Sequence, residues 1–429
     1  MTSIVISGGQ WGDEGKAKIT DLISEKADLI VRYQGGMNAG HTVSTKAGVF
    51  KFHLIPSGIL FPGKTCIIGP GTVIDPALLL AEINALKEKS IDLSGLKISG
   101  LAHITMPWHT AIDKASDTVG STGKGIGPTY TDKAKRYGIQ VHDLLSRNDL
   151  KEKLDKFLDK YNSDLQKIHE LKTYTEEEIL DTYLNFGQQL APYIDDTVNT
   201  LYRARKEGKN IVFEGAQGTL LDITFGTYPF VTSSTPVAGG ACIGAGVGPT
   251  SIDKALGIFK SFSTRVGLGP FPSEIDYEQE IAKMLRQDGT QWAEFGTTTG
   301  RMRRVGWFDA VLAKYACRVN SFSGIALTKL DTLDSFDEIM ICVAYVNEET
   351  GETYQEIPYA NANLLSKCKP ILQSFEGWKS NTHGTQKWED LPVKAQNYVK
   401  LISEQLEVPV CIVSTGPMRD DSIFLENLF

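Results

Sequence analysis

Short β-branched runs that end in glycine or polar residues recur along the chain and alternate with helical patterns. Residues 3–7 (Ser-Ile-Val-Ile-Ser) run into Gly8-Gly9, residues 28–33 into Gln34-Gly35-Gly36, residues 66–68 into Gly69, and residues 211–214 into Gly215. Residues 325–329 and 410–414 follow the same plan. This pattern predicts an α/β fold: a mainly parallel central sheet with helices on both faces, similar to P-loop NTPases. Ligands of such sheets bind at the carboxyl ends of the strands. We expect a nucleotide-binding core from residues 1–105 plus 205–265, a helical insertion over 106–204, and an α+β part over 266–429. In the insertion, Leu154, Phe157, Leu158, Tyr161, Leu165, Ile168 and Leu171 follow helical spacing. In the last part, residues 339–346 followed by a turn at 347–351 read as a hairpin.

Composition removes several classes of function. The 429 residues are 41% hydrophobic and 22% charged, with a formal net charge of -8, so a basic nucleic-acid-binding face is not expected. An acidic chain that binds anionic nucleotides must gather its cations locally. The six cysteines include no C-x-x-C pair and read as reduced, mostly buried thiols of a cytoplasmic protein. Residues 1–9 lack the basic and apolar regions of a signal peptide and read as a first strand. No apolar run approaches the ~20 residues that span a bilayer.

Gly8-Gly9-Gln10-Trp11-Gly12-Asp13-Glu14-Gly15-Lys16-Ala17-Lys18 lies between the first strand and a helical pattern. Glycines there let backbone N–H groups face phosphate, and the helix N-terminus adds positive potential. Gln10 and Ala17 break the Walker A pattern, so a standard P-loop NTPase is disfavoured. The loop at residues 34–42 holds His41 among small residues, and a His there suits contact with a transferring phosphoryl group. Residues 120–128 (Gly-Ser-Thr-Gly-Lys-Gly-Ile-Gly-Pro) offer hydroxyls and a cation, with Arg136 just beyond. Gln217 follows another strand, and its amide can both donate and accept, as a purine edge requires. Thr297-Thr298-Thr299-Gly300-Arg301-Met302-Arg303-Arg304 carries three arginines in four residues, which suits forked recognition of carboxylate or phosphate. Thr328-Lys329-Leu330-Asp331 resembles the N-K-x-D element of guanine-binding proteins. Its carboxylate would accept from guanine N1–H and the 2-amino group; a strand-end Asp capping the next helix is the competing reading. Ser414-Thr415-Gly416 can supply a facing wall.

Five blocks in this order resemble the adenylosuccinate synthetase family: residues 10–16, 38–42, 53–60, 214–222 and 328–331. The resemblance runs from Ser3 nearly to the C-terminus. It implies a GTP-dependent carbon–nitrogen ligase that joins L-aspartate to IMP through a 6-phosphoryl intermediate, with one Mg²⁺ per subunit. It implies that Asp13 removes the N1 proton of IMP and, with the Gly40 carbonyl, holds Mg²⁺. His41 would assist γ-phosphoryl transfer, with Lys16 and Gln217 beside it. GTP would meet Gly12, Glu14, Gly15, Lys16, Ala17, Lys18, Gly40, His41, Thr42 and Arg303. Its guanine would meet Lys329, Leu330, Asp331, Ser414, Thr415 and Gly416. IMP would meet Asp13, Lys16, Asn38, Ala39, Thr122, Gln217, Thr232 and Arg301, and Arg136 would reach the neighbouring site of a homodimer. Thr297, Thr298, Thr299, Gly300, Arg301 and Arg303 would clamp aspartate.

The chain departs from the family's usual residues at Ala17, Met37, Thr235 and Met302. These departures leave room for a variant that ligates aspartate to a guanylate. A guanine-nucleotide-binding module without ligase activity is the alternative from another class. The Arg-rich loop and the Asp13/His41 pair argue against it.

Overall fold

The computed structural model describes residues 1–45, 48–116, 120–290, 293–295, 302–357 and 359–429, except the side chains of His41, Thr42, Ser44, Thr45, Val49, Ile168 and His169. Within these residues the β-branched runs assemble into one ten-stranded sheet. From one edge its order is Ser422–Phe424, Val410–Ser414, Gly324–Thr328, Lys254–Lys260, Ser3–Gly8, Ile211–Glu214, Leu29–Arg32, Thr65–Ile68, Leu96–Ser99 and Ile194–Asp195. All neighbours are parallel except the first pair, which is antiparallel.

Successive strand residues point to opposite faces, and both faces are covered here. Ile4 and Ile6 enter one core cluster with Ile19, Ile23, Ile83, Leu154 and Leu180. The last five belong to helices Lys16–Ser24, Pro76–Glu88, Arg147–His169 and Glu176–Leu190. Val5, between them, enters a second cluster with Leu201, Ala313, Ala316, Val399 and Ile402. These belong to helices Thr197–Lys206, Ala310–Asn320 and Val393–Leu406. Two-sided burial explains why the strands read as continuous apolar runs rather than alternating ones. The α/β architecture expected from sequence is therefore the observed one.

The helical spacing from Leu154 belongs to helix Arg147–His169. Ser146 accepts from the Asp149 N–H at its start, and Glu170 ends it in a left-handed conformation, so Leu171 lies beyond it. The expected hairpin is present but minor. Gly351 N donates to Asn347 O at 2.8 Å, and strand Glu338–Asn347 pairs briefly with Thr353–Tyr354. Its main antiparallel partner is Cys368–Glu376, since a ten-residue strand needs a longer edge than the hairpin returns.

All six cysteines are free, and five are buried. Burial pushes the Cys317 and Cys411 thiols up to about 12. No helix among the described residues is long and apolar enough to cross a membrane.

His103 gives the fold a pH dependence. Burial, reinforced by Lys133, Lys153 and His142, lowers its pKa from 6.5 to about 4, and its Nδ1 is buried without a partner. A depressed folded-state value stabilises the fold above the unfolded pKa, and that stability is lost as pH falls from 6.5 through about 4. The linkage corresponds to roughly 3 kcal/mol. Denaturant unfolding of His103→Gln from pH 7.5 to 4.5 should therefore decline less steeply than the parent. Parallel curves would exclude His103 as the source.

Candidate active site

The loop after strand Ser3–Gly8 folds around a buried carboxylate. Glu14 is wholly buried, and its Oε1 accepts from Gly12 N at 2.8 Å and Gln10 N at 3.1 Å. Its Oε2 pairs with the buried Lys16 ammonium. Gly12 and Gly15 both have φ of 86°, and Asp13 has φ of 58°. The glycines take this left-handed backbone without Cβ strain, whereas Asp13 bears a modest cost. No side chain caps helix Lys16–Ser24 at Gly15, and no acidic residue lies in its first turn. Its N-terminal amides therefore remain suited to an anion.

That loop forms one wall of a cavity of about 440 Å³ at the carboxyl ends of the central strands. Gly12, Asp13, Gly15, Lys16, Ala17 and Lys18 line it, as do Asn38, Ala39, Gly40, Thr122, Gln217, Thr232 and Arg303. The structure thus brings together sequence-selected residues from six separate segments. Two of these segments are held in place by buried polar groups. His53 Nδ1 lies 2.8 Å from Ala39 O, while Glu82 accepts from the backbone N–H groups of His53, Leu54 and Ile55. Asp113 accepts from Ser121 Oγ at 2.7 Å and Gly125 N at 2.8 Å, fixing the segment that carries Thr122.

Gln217 is the most informative side chain in the cavity. Its backbone is left-handed, with φ of 56°, and both amide atoms are buried without a partner. A buried amide costs free energy unless its hydrogen bonds are satisfied, so this orientation fits a polar ligand edge. On the opposite side, Arg303 Nε donates to Asp13 Oδ2 at 2.9 Å. The same guanidinium pairs with Glu294.

The strand-end motif forms a second region. Asp331 Oδ2 is 3.2 Å from His383 Nδ1, and its Oδ1 is buried without a partner. Lys329 is left-handed, and its Nζ donates to Gln287 Oε1 at 3.1 Å. Lys18 joins the two regions: its ammonium donates to Ser414 Oγ, Gly416 O and Asp421 O, each at 2.7 Å. Burial, opposed by Asp421, Asp331 and Asp420, lowers its pKa to about 8. Lys18→Met should raise the KM for nucleotide and lower unfolding stability by about 2 kcal/mol, because buried acceptors lose their donor. Unchanged nucleotide KM would show that the bridge is only structural.

Some selected residues are placed elsewhere. Glu14 supports the loop from beneath and does not line the cavity. Leu330 is buried in the core, and Thr415 Oγ1 is spent on Thr385 O at 2.8 Å, so neither presents its side chain as a free contact. Arg136 is exposed where helix Ile126–Lys135 ends, away from the cavity. The side chains of His41 and Thr42, and residues Thr297, Thr298, Thr299, Gly300 and Arg301, lie outside the described residues. Among the departures, Met37 is buried in the core and Met302 meets Tyr277, 2.7 Å from its hydroxyl. Neither lines the cavity, so neither supports an altered purine pocket.

Sequence reading missed Arg265, Asp113 and Glu294. Arg265 lines the cavity beside Trp11, with its guanidinium carbon 5.2 Å from the ring centroid. Burial first, then Arg304, lowers its pKa to about 9. The glycine-spaced residues 265–270 after a short strand were its available signal.

A sequence model described as adenylosuccinate synthetase matches residues 5–423. The chain is 51% identical over 433 residues to the adenylosuccinate synthetase of Prochlorococcus marinus strain MIT 9312, covering 100% of this chain and 98% of that protein. Its structure is similar to that of fully ligated adenylosuccinate synthetase from Plasmodium falciparum, with a TM-score of 0.91, 34% identity and 99% coverage of both chains. Cyanophage S-2L succinoaminodeoxyadenylate synthetase bound to dGMP and dATP shares the fold alone, at a TM-score of 0.63 and 18% identity, covering 100% of this chain and 96% of that one. With the matched model spanning nearly its whole length, the chain belongs to the adenylosuccinate synthetase family.

Proposed function

We propose that this chain uses GTP to join L-aspartate to IMP, giving adenylosuccinate, GDP and phosphate in purine biosynthesis. The observation that carries this reading is the cavity that sets Asp13 and the unbonded Gln217 amide beside an uncapped helix N-terminus. The Asp13 carboxylate takes the N1 proton of IMP, which makes O6 a better nucleophile. O6 attacks the γ-phosphorus of GTP, and the bond to the β,γ-bridging oxygen breaks, releasing GDP. The aspartate amine then attacks C6, phosphate departs with O6, and the amine loses a proton. Phosphorylation matters because a purine oxo group is otherwise a very poor leaving group.

The chain's residues act mainly by positioning and charge neutralisation. Lys16 and the helix amides receive phosphate. Asn38, Ala39, Thr122, Gln217 and Thr232 hold IMP, and Arg301 and Arg303 with Thr297, Thr298, Thr299 and Gly300 receive aspartate. His41 assists phosphoryl transfer, and Asp331, Lys329 and the wall at Ser414 and Gly416 hold guanine. Asp13 and Gly40 both line the cavity, and the Asp13 carboxylate with the Gly40 carbonyl would hold the metal. Two protein oxygens suit Mg²⁺, which usually completes its shell with water and phosphate oxygens; when bound it neutralises phosphate charge. In this reading the working form is a homodimer in which the exposed Arg136 serves the neighbouring subunit's site. The free, largely buried thiols fit the cytoplasm.

Positional isotope exchange tests the phosphorylation step. GTP carrying ¹⁸O in its β,γ bridge should scramble that label with IMP and Mg²⁺ present and aspartate absent. Scrambling that requires aspartate would contradict a separate phosphorylation step.

A further inference from the structure

Glu294 lies where three cationic side chains from distant segments converge. Its side chain has 0% exposure, and its Oε2 is 2.8 Å from the Lys260 ammonium at the end of strand Lys254–Lys260. The same oxygen pairs with Arg303, while Oε1 is 3.4 Å from Lys329 Nζ. Backbone bonds reinforce the convergence: Arg303 N donates to Glu294 O at 2.9 Å, and Glu294 N donates to Arg286 O at 2.9 Å. Burial opposes ionisation of Glu294, but Lys260, Arg303 and Lys329 outweigh it and hold the carboxyl well below its usual range. Lys260 is buried as well and also donates to Thr264 Oγ1 at 2.9 Å.

One carboxylate therefore touches two residues with different ligand roles. Arg303 extends from it to Asp13 in the cavity, whereas Lys329, whose Nζ also donates to Gln287 Oε1, stands two residues before the strand-end carboxylate Asp331. We infer that Glu294 is a positioning residue that places Arg303 and Lys329 together, tying aspartate binding to guanine-nucleotide binding. This rests on the ligand roles proposed above for Arg303 and Lys329. Without the anion, three cations would face one another in a low-dielectric interior. Arg303 cannot shed its charge and Lys329 is partly exposed, so both would move. A carboxylate present only to neutralise Lys260 would not have this consequence.

The test is steady-state kinetics of Glu294→Gln with Mg²⁺, GTP, IMP and aspartate, beside thermal unfolding. The inference expects the KM values for aspartate and GTP to rise together, each on the order of tenfold, with a much smaller change in kcat. The double variant Lys260→Met/Glu294→Gln removes the buried unpaired ammonium and guards against failure to fold. It should recover Tm while both KM values stay raised. If it restores both KM values, Glu294 serves only Lys260 and the inference is overturned. Lys329→Ala and Arg303→Lys are measured alongside. Unchanged constants in those two would overturn the site assignment and this inference with it. Raised constants there with unchanged constants in Glu294→Gln would overturn this inference alone.

Discussion

Replacing Asp13 by Asn should lower kcat by about 10²–10⁴-fold, the usual contribution of a positioned general base. Asn keeps the side chain's shape and tolerates the left-handed backbone at φ of 58°, so the loop should fold as before. The amide cannot take the N1 proton, and O6 then remains a weak nucleophile. GTP affinity, measured by calorimetry without Mg²⁺, should change only a few-fold, because the helix amides and Lys16 are untouched. Tm should be preserved within a few degrees. Turnover above a tenth of the parent's would remove Asp13 from the base role.

The second large effect is expected at Asp331. Its Oδ1 is buried and unbonded, and its Oδ2 is shared with His383. Guanine presents two donors to such a carboxylate, whereas adenine presents neither N1–H nor a 2-amino group. Asp331→Asn should therefore raise the KM for GTP on the order of 100-fold, since hydrogen bonds to a charged acceptor are each worth about 1.5–3 kcal/mol. Xanthosine triphosphate, whose 2-oxo group accepts where guanine donates, should lose far less when compared directly in the same assay. Unchanged GTP preference would remove Asp331 from the guanine site.

The sheet was legible because buried parallel strands must be apolar throughout and must end where ligands approach, so runs such as residues 3–7 and 211–214 declare themselves. Asp13, Lys16 and Gln217 were legible for the same reason: each follows a strand end, among small residues that admit a ligand. What was hidden depends on tertiary meetings. Glu14 stands in a phosphate-loop pattern, yet the tight turn folds its carboxylate under the loop to hold Gly12 and Gln10. Lys18 looks like another phosphate cation, but its ammonium reaches Ser414, Gly416 and Asp421 across nearly the whole sequence. Glu294 has no local signature, because its partners Lys260, Arg303 and Lys329 come together only when separate segments fold. Met37 read as a loss beside the purine loop, but an apolar side chain there turns into the core.

The most direct test is product formation by the purified chain with Mg²⁺, GTP and aspartate, comparing IMP, GMP and dGMP as acceptors, with products identified by mass. The account predicts adenylosuccinate from IMP, one GDP and one phosphate released per product, and no aspartate adduct of either guanylate. An adduct formed from a guanylate but not from IMP, or GTP hydrolysis indifferent to both IMP and aspartate, would contradict it.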